Sequence, residues 1–184
     1  TNVGYWDTAA PNNITVPPMH APWVSAPDNS AFLLKRGCSF DGRIYVQAWR
    51  PGSTFSKNFV FGAYGDRSKA RPIVNYTTTP ASNQGAIVWT AGEAFSLRNI
   101  HVVNSNSDYT TGISLNHADG VLIKNVEEEG AQGDGILADG APNLTIDNSV
   151  FYNNQNTGGR GGGFAGGAAN LKILNSTFLN NGRD

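Results

Sequence analysis

Six carboxylates, Asp119, Glu127, Glu128, Glu129, Asp134 and Asp139, fall between positions 119 and 139 of a chain in which only 15% of residues are charged. Two carboxylates on one surface are what sugar hydrolysis needs, held roughly 5 to 5.5 Å apart for retention or 6.5 to 9.5 Å for inversion. Lyase chemistry would instead use a base such as Lys, Arg or His, with a cation, commonly calcium, held by acidic oxygens to neutralise a uronate. His117 and Arg160 are the nearest candidates for that base. Against both stands the ordinary role of surface Asp and Glu, which is to keep a protein soluble. Gly133-Asp134-Gly135 likewise reads first as a turn entering a strand.

Other chemistries are excluded or set aside. Cys38 is the only cysteine, so an intrachain disulfide and a cysteine-based zinc site are ruled out. A net charge of −1 gives no electrostatic grip on nucleic acid or an acidic membrane. No apolar run approaches the roughly 18 residues of a membrane span. His20, His101 and His117 are too scattered to read as a metal cluster. The run Gly158-Gly-Arg-Gly-Gly-Gly-Phe-Ala-Gly-Gly167 lacks the Lys-Ser/Thr ending of a phosphate loop and reads as a flexible loop. Trp6, Trp23, Trp49 and Trp89 read as core or cap residues before sugar-stacking ones. The sequons at Asn13, Asn75, Asn143 and Asn175 read as chance in an Asn-rich chain.

The elements that must position the carboxylates come from an internal repeat. Phe95-Ser-Leu97-Arg-Asn99, Val121-Leu-Ile123-Lys-Asn125, Leu144-Thr-Ile146-Asp-Asn148 and Leu171-Lys-Ile173-Leu-Asn175 align with their asparagines 26, 23 and 27 residues apart. Two alternating apolar residues before each Asn mark a strand with one buried face. The Asn marks a corner, because it tolerates a left-handed backbone and its amide can bond to the same Asn one coil away. A second strand follows, with Ile100/Val102, Ser149/Phe151 and Ser176/Phe178 inward and a phenylalanine stack inside. A third begins at Gly112-Ile-Ser-Leu115, Gly135-Ile-Leu-Ala138 and Gly163-Phe-Ala-Gly166, preceded by variable loops at 104–111, 129–134 and 153–162. Three strands per coil predict an all-β, right-handed parallel β-helix of triangular section over 31–184, with an irregular N-terminal cap over 1–30.

Ser114, Asn116, Leu137 and Asp139 then point outward, with Asn116 and Asp139 on adjacent rungs. Lys124 and Asp147 form a rung-to-rung ion pair, with Arg98 in the same row. Glu128 breaks the pattern, since it falls where Val102, Phe151 and Phe178 pack inward. An unpaired buried carboxylate is costly. The expectation is a local bulge that turns Glu128 outward, and the other reading is burial with a partner and a raised pKa.

Gly135-Ile-Leu-Ala138, Asn143-Leu-Thr-Ile-Asp-Asn148 and Phe151-Tyr-Asn-Asn154 resemble coils of the pectate-lyase-like superfamily. Phe32-Leu-Leu-Lys-Arg-Gly37, Arg43-Ile-Tyr-Val46, Asn58-Phe-Val-Phe-Gly-Ala-Tyr-Gly65 and Arg71-Pro-Ile-Val74 resemble its entry coils. The resemblance implies a sugar groove along the third strand and its flanks. Asp134, Asp139, Arg160 and His117 would be catalytic there, Asn116, Ser114 and Glu129 would contact substrate, and Asp134 with Glu129 would hold calcium. It implies an extracellular polysaccharide or surface glycan as partner, acted on by a lyase, hydrolase or epimerase. The alternative is a non-catalytic structural or adhesive module such as a virion spike, appendage or surface protein, and tailspikes join both classes. Ending after Phe178-Leu-Asn-Asn181 without a cap, the helix is expected to continue or to be covered by another chain or copy.

Overall fold

The computed structural model describes residues 3–6, 29, 31–42, 44–47, 58–77, 85–105, 110–155 and 162–182. Eighteen short strands among them form three sheets, and every strand pair is parallel. The first sheet contains β1 (Val3–Trp6), β2 (Ala31–Lys35), β5 (Val60–Tyr64), β8 (Ser96–Arg98), β11 (Leu122–Lys124), β14 (Thr145–Asp147) and β17 (Lys172–Leu174). The second contains β3 (Ser39–Asp41), β6 (Ile73–Tyr76), β9 (His101–Asn104), β12 (Glu127–Glu129), β15 (Val150–Tyr152) and β18 (Thr177–Leu179). The third contains β4 (Ile44–Gln47), β7 (Ile87–Glu93), β10 (Ile113–Asp119), β13 (Ile136–Asp139) and β16 (Phe164–Gly167). From β2 onward the chain visits first, second and third sheet in strict rotation, so this is a parallel β-solenoid whose coils already run through the upstream segments. Val3–Trp6 pairs with β2. The rest of 1–30 apart from Asn29 lies outside the described residues, as do the side chains of Trp6, Trp23 and Trp49.

The corners are made as the repeated asparagine requires. Asn99, Asn125, Asn148 and Asn175 have φ of 57°, 53°, 48° and 50°. Asn125 donates to Asn99 at 3.2 Å and Asn148 to Asn125 at 2.6 Å, a ladder that Asn175 leaves by donating to Asp147 at 3.3 Å. A parallel ladder runs from Asn170 to Asn143 to Asp119 at 3.0 and 2.8 Å. Substitution separates the two roles of such a residue. Asn125→Gly keeps the left-handed backbone and loses the amide, whereas Asn125→Ala loses both. The alanine variant is expected to be less stable than the glycine variant by about 1 kcal/mol, the left-handed penalty less glycine's extra unfolded-state freedom. Chemical denaturation of both variants reads that difference.

The interior is a continuous apolar column. Phe95, Leu97, Val121, Ile123, Leu144 and Ile146 are buried, as alternation predicts, and so are Ile100, Val102, Ile113, Leu115 and Ile136. Fully burying one such side chain contributes roughly 1.5–3 kcal/mol. The expected phenylalanine stack is present, with Phe151 and Phe178 rings 5.1 Å apart and 15° from parallel. Trp89 is a core residue, stacked on Phe95 at 4.1 Å. In β17 the inward row ends on Ile173, which is 43% exposed where its counterpart Ile146 is fully buried. Lys124 and Asp147 pair across one rung at 2.7 Å.

Candidate functional site

Three consecutive glutamates make up β12, and strand alternation sends Glu127 and Glu129 to the outer face and Glu128 to the interior. Their neighbours come from other coils. Glu127 lies in register with His101 and Val150, and Glu129 with Val103 and Tyr152. The Arg71 guanidinium donates to Glu127 Oε2 at 3.3 Å, and the Tyr152 hydroxyl donates to Glu127 Oε1 at 3.0 Å. His101 Nε2 meets Glu129 Oε1 at 3.0 Å. Glu129 lies beside Tyr152 on the adjacent rung. Burial first, and then the two carboxylates, push its pKa well above the ordinary tyrosine value. Tyr152 is therefore a proton donor to Glu127 and not a base. Two positions along a strand separate the glutamate α-carbons by about 6.6 Å, so side-chain rotation spans both hydrolytic carboxylate separations.

Glu128 does not bulge outward. It sits in register between Val102 and Phe151 with no exposed surface, and its Oε2 accepts a 2.7 Å hydrogen bond from Asn154 Nδ2. Gly112 and Gly135, at the heads of β10 and β13, leave the space that it fills. The expected bulge is replaced by room made on the opposite side of the triangle.

The residues expected to line the third-strand groove are placed as follows. Asn116 and Asp139 are adjacent rungs, and Thr90 continues their row on β7. Ser114 lies two positions before Asn116 on the same strand, and His117 follows it, exposed and with φ of 52°. Ser114, Asn116, His117 and Asp139 share the outer flank of the third sheet. Asp134 does not join them, because it is buried before β13 and its Oδ1 accepts the Gly162 N–H at 3.0 Å. Burial raises the Asp134 pKa, an effect that the Gly162 hydrogen bond opposes. Glu129 belongs to the second sheet. Glu129 pairs with His101 on the outer face and buried Asp134 with the Gly162 N–H, so the two do not fit a shared calcium site. Among the described residues no three His, Cys, Asp or Glu side chains form a metal-binding group. Arg160 lies outside the described residues.

Glu127 was one of the six candidate carboxylates, whereas Arg71, His101 and Tyr152 were not placed beside it by residue type and spacing alone. The signal was present in the repeat: once Val102, Glu128 and Phe151 are stacked, their flanking residues must share the outer face. Arg71 carries no such signal, since it enters from the loop before β6.

A family model described as a right handed beta helix region matches residues 84–184. The chain belongs to that family. A solved structure, the GH136 lacto-N-biosidase from Eubacterium ramulus, is similar with a TM-score of 0.53 and 12% sequence identity, over 82% of this chain and 36% of that one. At that identity the likeness is one of fold, and this chain spans about a third of that protein's length. No curated protein matches the sequence. No helix among the described residues is long and apolar enough to cross a membrane.

Proposed function

We propose that this protein is a carbohydrate-directed β-helix acting on an extracellular polysaccharide by hydrolysis, with Glu127 and Glu129 as the reacting pair. The observation that carries the reading is the Tyr152 hydroxyl set against two carboxylates on one outer face, with Arg71 and His101 at its edges. Glu127, which accepts from Arg71 and Tyr152, takes the carboxylate role of base or nucleophile. Glu129, paired to His101, delivers the proton to the leaving oxygen. The outer row of Ser114, Asn116, His117 and Asp139 is a second surface for sugar hydroxyls. The likeness in fold to a lacto-N-biosidase supports the substrate class only.

A second reading, a stiff structural or adhesive rod, is favoured by a specific observation. Both outer carboxylates already have protein partners at 3.0 to 3.3 Å. A screen of acidic and neutral glycans, scored for binding and for cleavage with calcium added or chelated, separates the readings. Glu127→Gln and Glu129→Gln are each expected to lower the cleavage rate about 10²- to 10⁴-fold with binding retained. Cleavage that survives both changes moves the chemistry elsewhere, and absence of binding and cleavage favours the rod.

A further inference from the structure

Glu128 has no part in the outer site, yet it is the one carboxylate among the described residues without exposed surface. Its surroundings are fixed in detail. Asn154 Oδ1 accepts the Ala131 N–H at 2.8 Å, which orients the Asn154 amide so that Nδ2 is the group presented to Glu128 Oε2. Glu128 Oε1 has no partner. Val102 and Phe151 flank it along the sheet, and Gly112 and Gly135 close on it from the third sheet.

Every charged or titratable group near it faces elsewhere. Glu127 and Glu129 on its own strand, His101 on β9 and Tyr152 on β15 point outward and bond to one another. Asp134, ahead of β13, is turned to the Gly162 N–H. No Lys, Arg or His is among the buried residues described. One neutral amide donor is poor compensation for a carboxylate without water, whereas a carboxylic acid in the same place costs far less.

We propose that Glu128 is a protonation-operated lock on the middle of the solenoid: as the acid it closes β12 onto the glycine-headed strands, and as the carboxylate it forces that coil open to water. Burial, opposed by the Asn154 hydrogen bond and reinforced by Glu129, raises its pKa from 4.5 to about 8. Because the folded value is above the unfolded one, the stabilising contribution is complete below the unfolded value and is lost as pH rises through the folded value. The lock is therefore tight in acid and released in mild alkali.

The test is denaturant unfolding of the full chain from pH 5 to 9, with Glu128→Gln and Asp134→Asn alongside. The unfolding constant of the unmodified protein should rise with pH, approaching tenfold per unit, the slope of one proton, and flatten above about pH 8. Glu128→Gln should remove most of that rise. Asp134→Asn should trim only the part just above the ordinary aspartate range, since burial raises that group too. Parallel profiles for Glu128→Gln and the unmodified protein would overturn the proposal. Carbon-13 labelling of the four glutamates provides a readout that needs no variant. One side-chain carboxyl titrating near pH 8 is expected, and four titrating together in the ordinary glutamate range would overturn the lock even if Glu128→Gln failed to fold.

Discussion

Gly135→Ala is expected to destabilise the protein by about 3 kcal/mol or more, from overpacking together with the loss of a buried hydrogen bond. A methyl group at this position would stand 2.5 Å from Asn154 Nδ2, 2.7 Å from Glu128 Oε2 and 2.9 Å from the Gly163 carbonyl oxygen. It would strike both ends of the one hydrogen bond that Glu128 accepts, together with a backbone atom that cannot turn aside. Gly162→Ala, one residue before the glycine that faces Gly135 in the next coil, is the control. Its nearest contact is an ordinary 3.6 Å, so a change within about 0.5 kcal/mol is expected there. Denaturant midpoints of the two variants provide the comparison. Equal stabilities would mean that Glu128 does not occupy the space at the head of β13, and the inward register of β12 would fall with it.

Phe151→Ala is expected to cost about 3–5 kcal/mol, the range for emptying a fully buried aromatic site. Phe151 is wholly enclosed, stacks on Phe178 and is the rung next to Glu128. Its removal has a second consequence. The cavity would lie against the carboxyl, and water entering it would supply the hydrogen bonds that Glu128 lacks. The variant should therefore lose part of the pH dependence expected of the unmodified protein as well as its stability. Phe178→Ala, one rung on and half-buried, should cost less. Denaturation at pH 5 and pH 8 measures both effects. An undiminished pH dependence in Phe151→Ala would place the titrating group away from this cavity.

Much of the architecture is legible in the residues because each coil repeats the same local decisions. Alternation in Val121-Leu-Ile123 and Leu144-Thr-Ile146 states which side chains enter the core, and no distant contact is needed to read it. The left-handed corners are announced by asparagine, one of the few residues with a side chain that accepts that backbone. Stacking of coils follows, since no single coil can bury its own inner face. From there Asn116 beside Asp139 and Lys124 beside Asp147 follow as neighbours.

Two features followed a different logic. Glu128 reads as an error in the pattern when the second strand is considered alone, because a lone carboxylate in an apolar row should be turned out. Its place is decided across the triangle, where Gly112 and Gly135 withhold the side chains that would otherwise fill that space and Asn154 supplies a donor. The outer cluster is also a product of stacking. Arg71, His101, Glu127, Glu129 and Tyr152 meet only when loops of unequal length have been absorbed between coils. Asp134 shows the converse, since a carboxylate beside a loop looked available and is instead consumed by the Gly162 backbone. The amino-acid sequence by itself determined the solenoid, its inward and outward faces and its corners, because these depend on residues within one coil. Tertiary structure alone decided which carboxylates are buried, paired or presented, because that depends on groups from neighbouring coils and from the opposite wall of the helix.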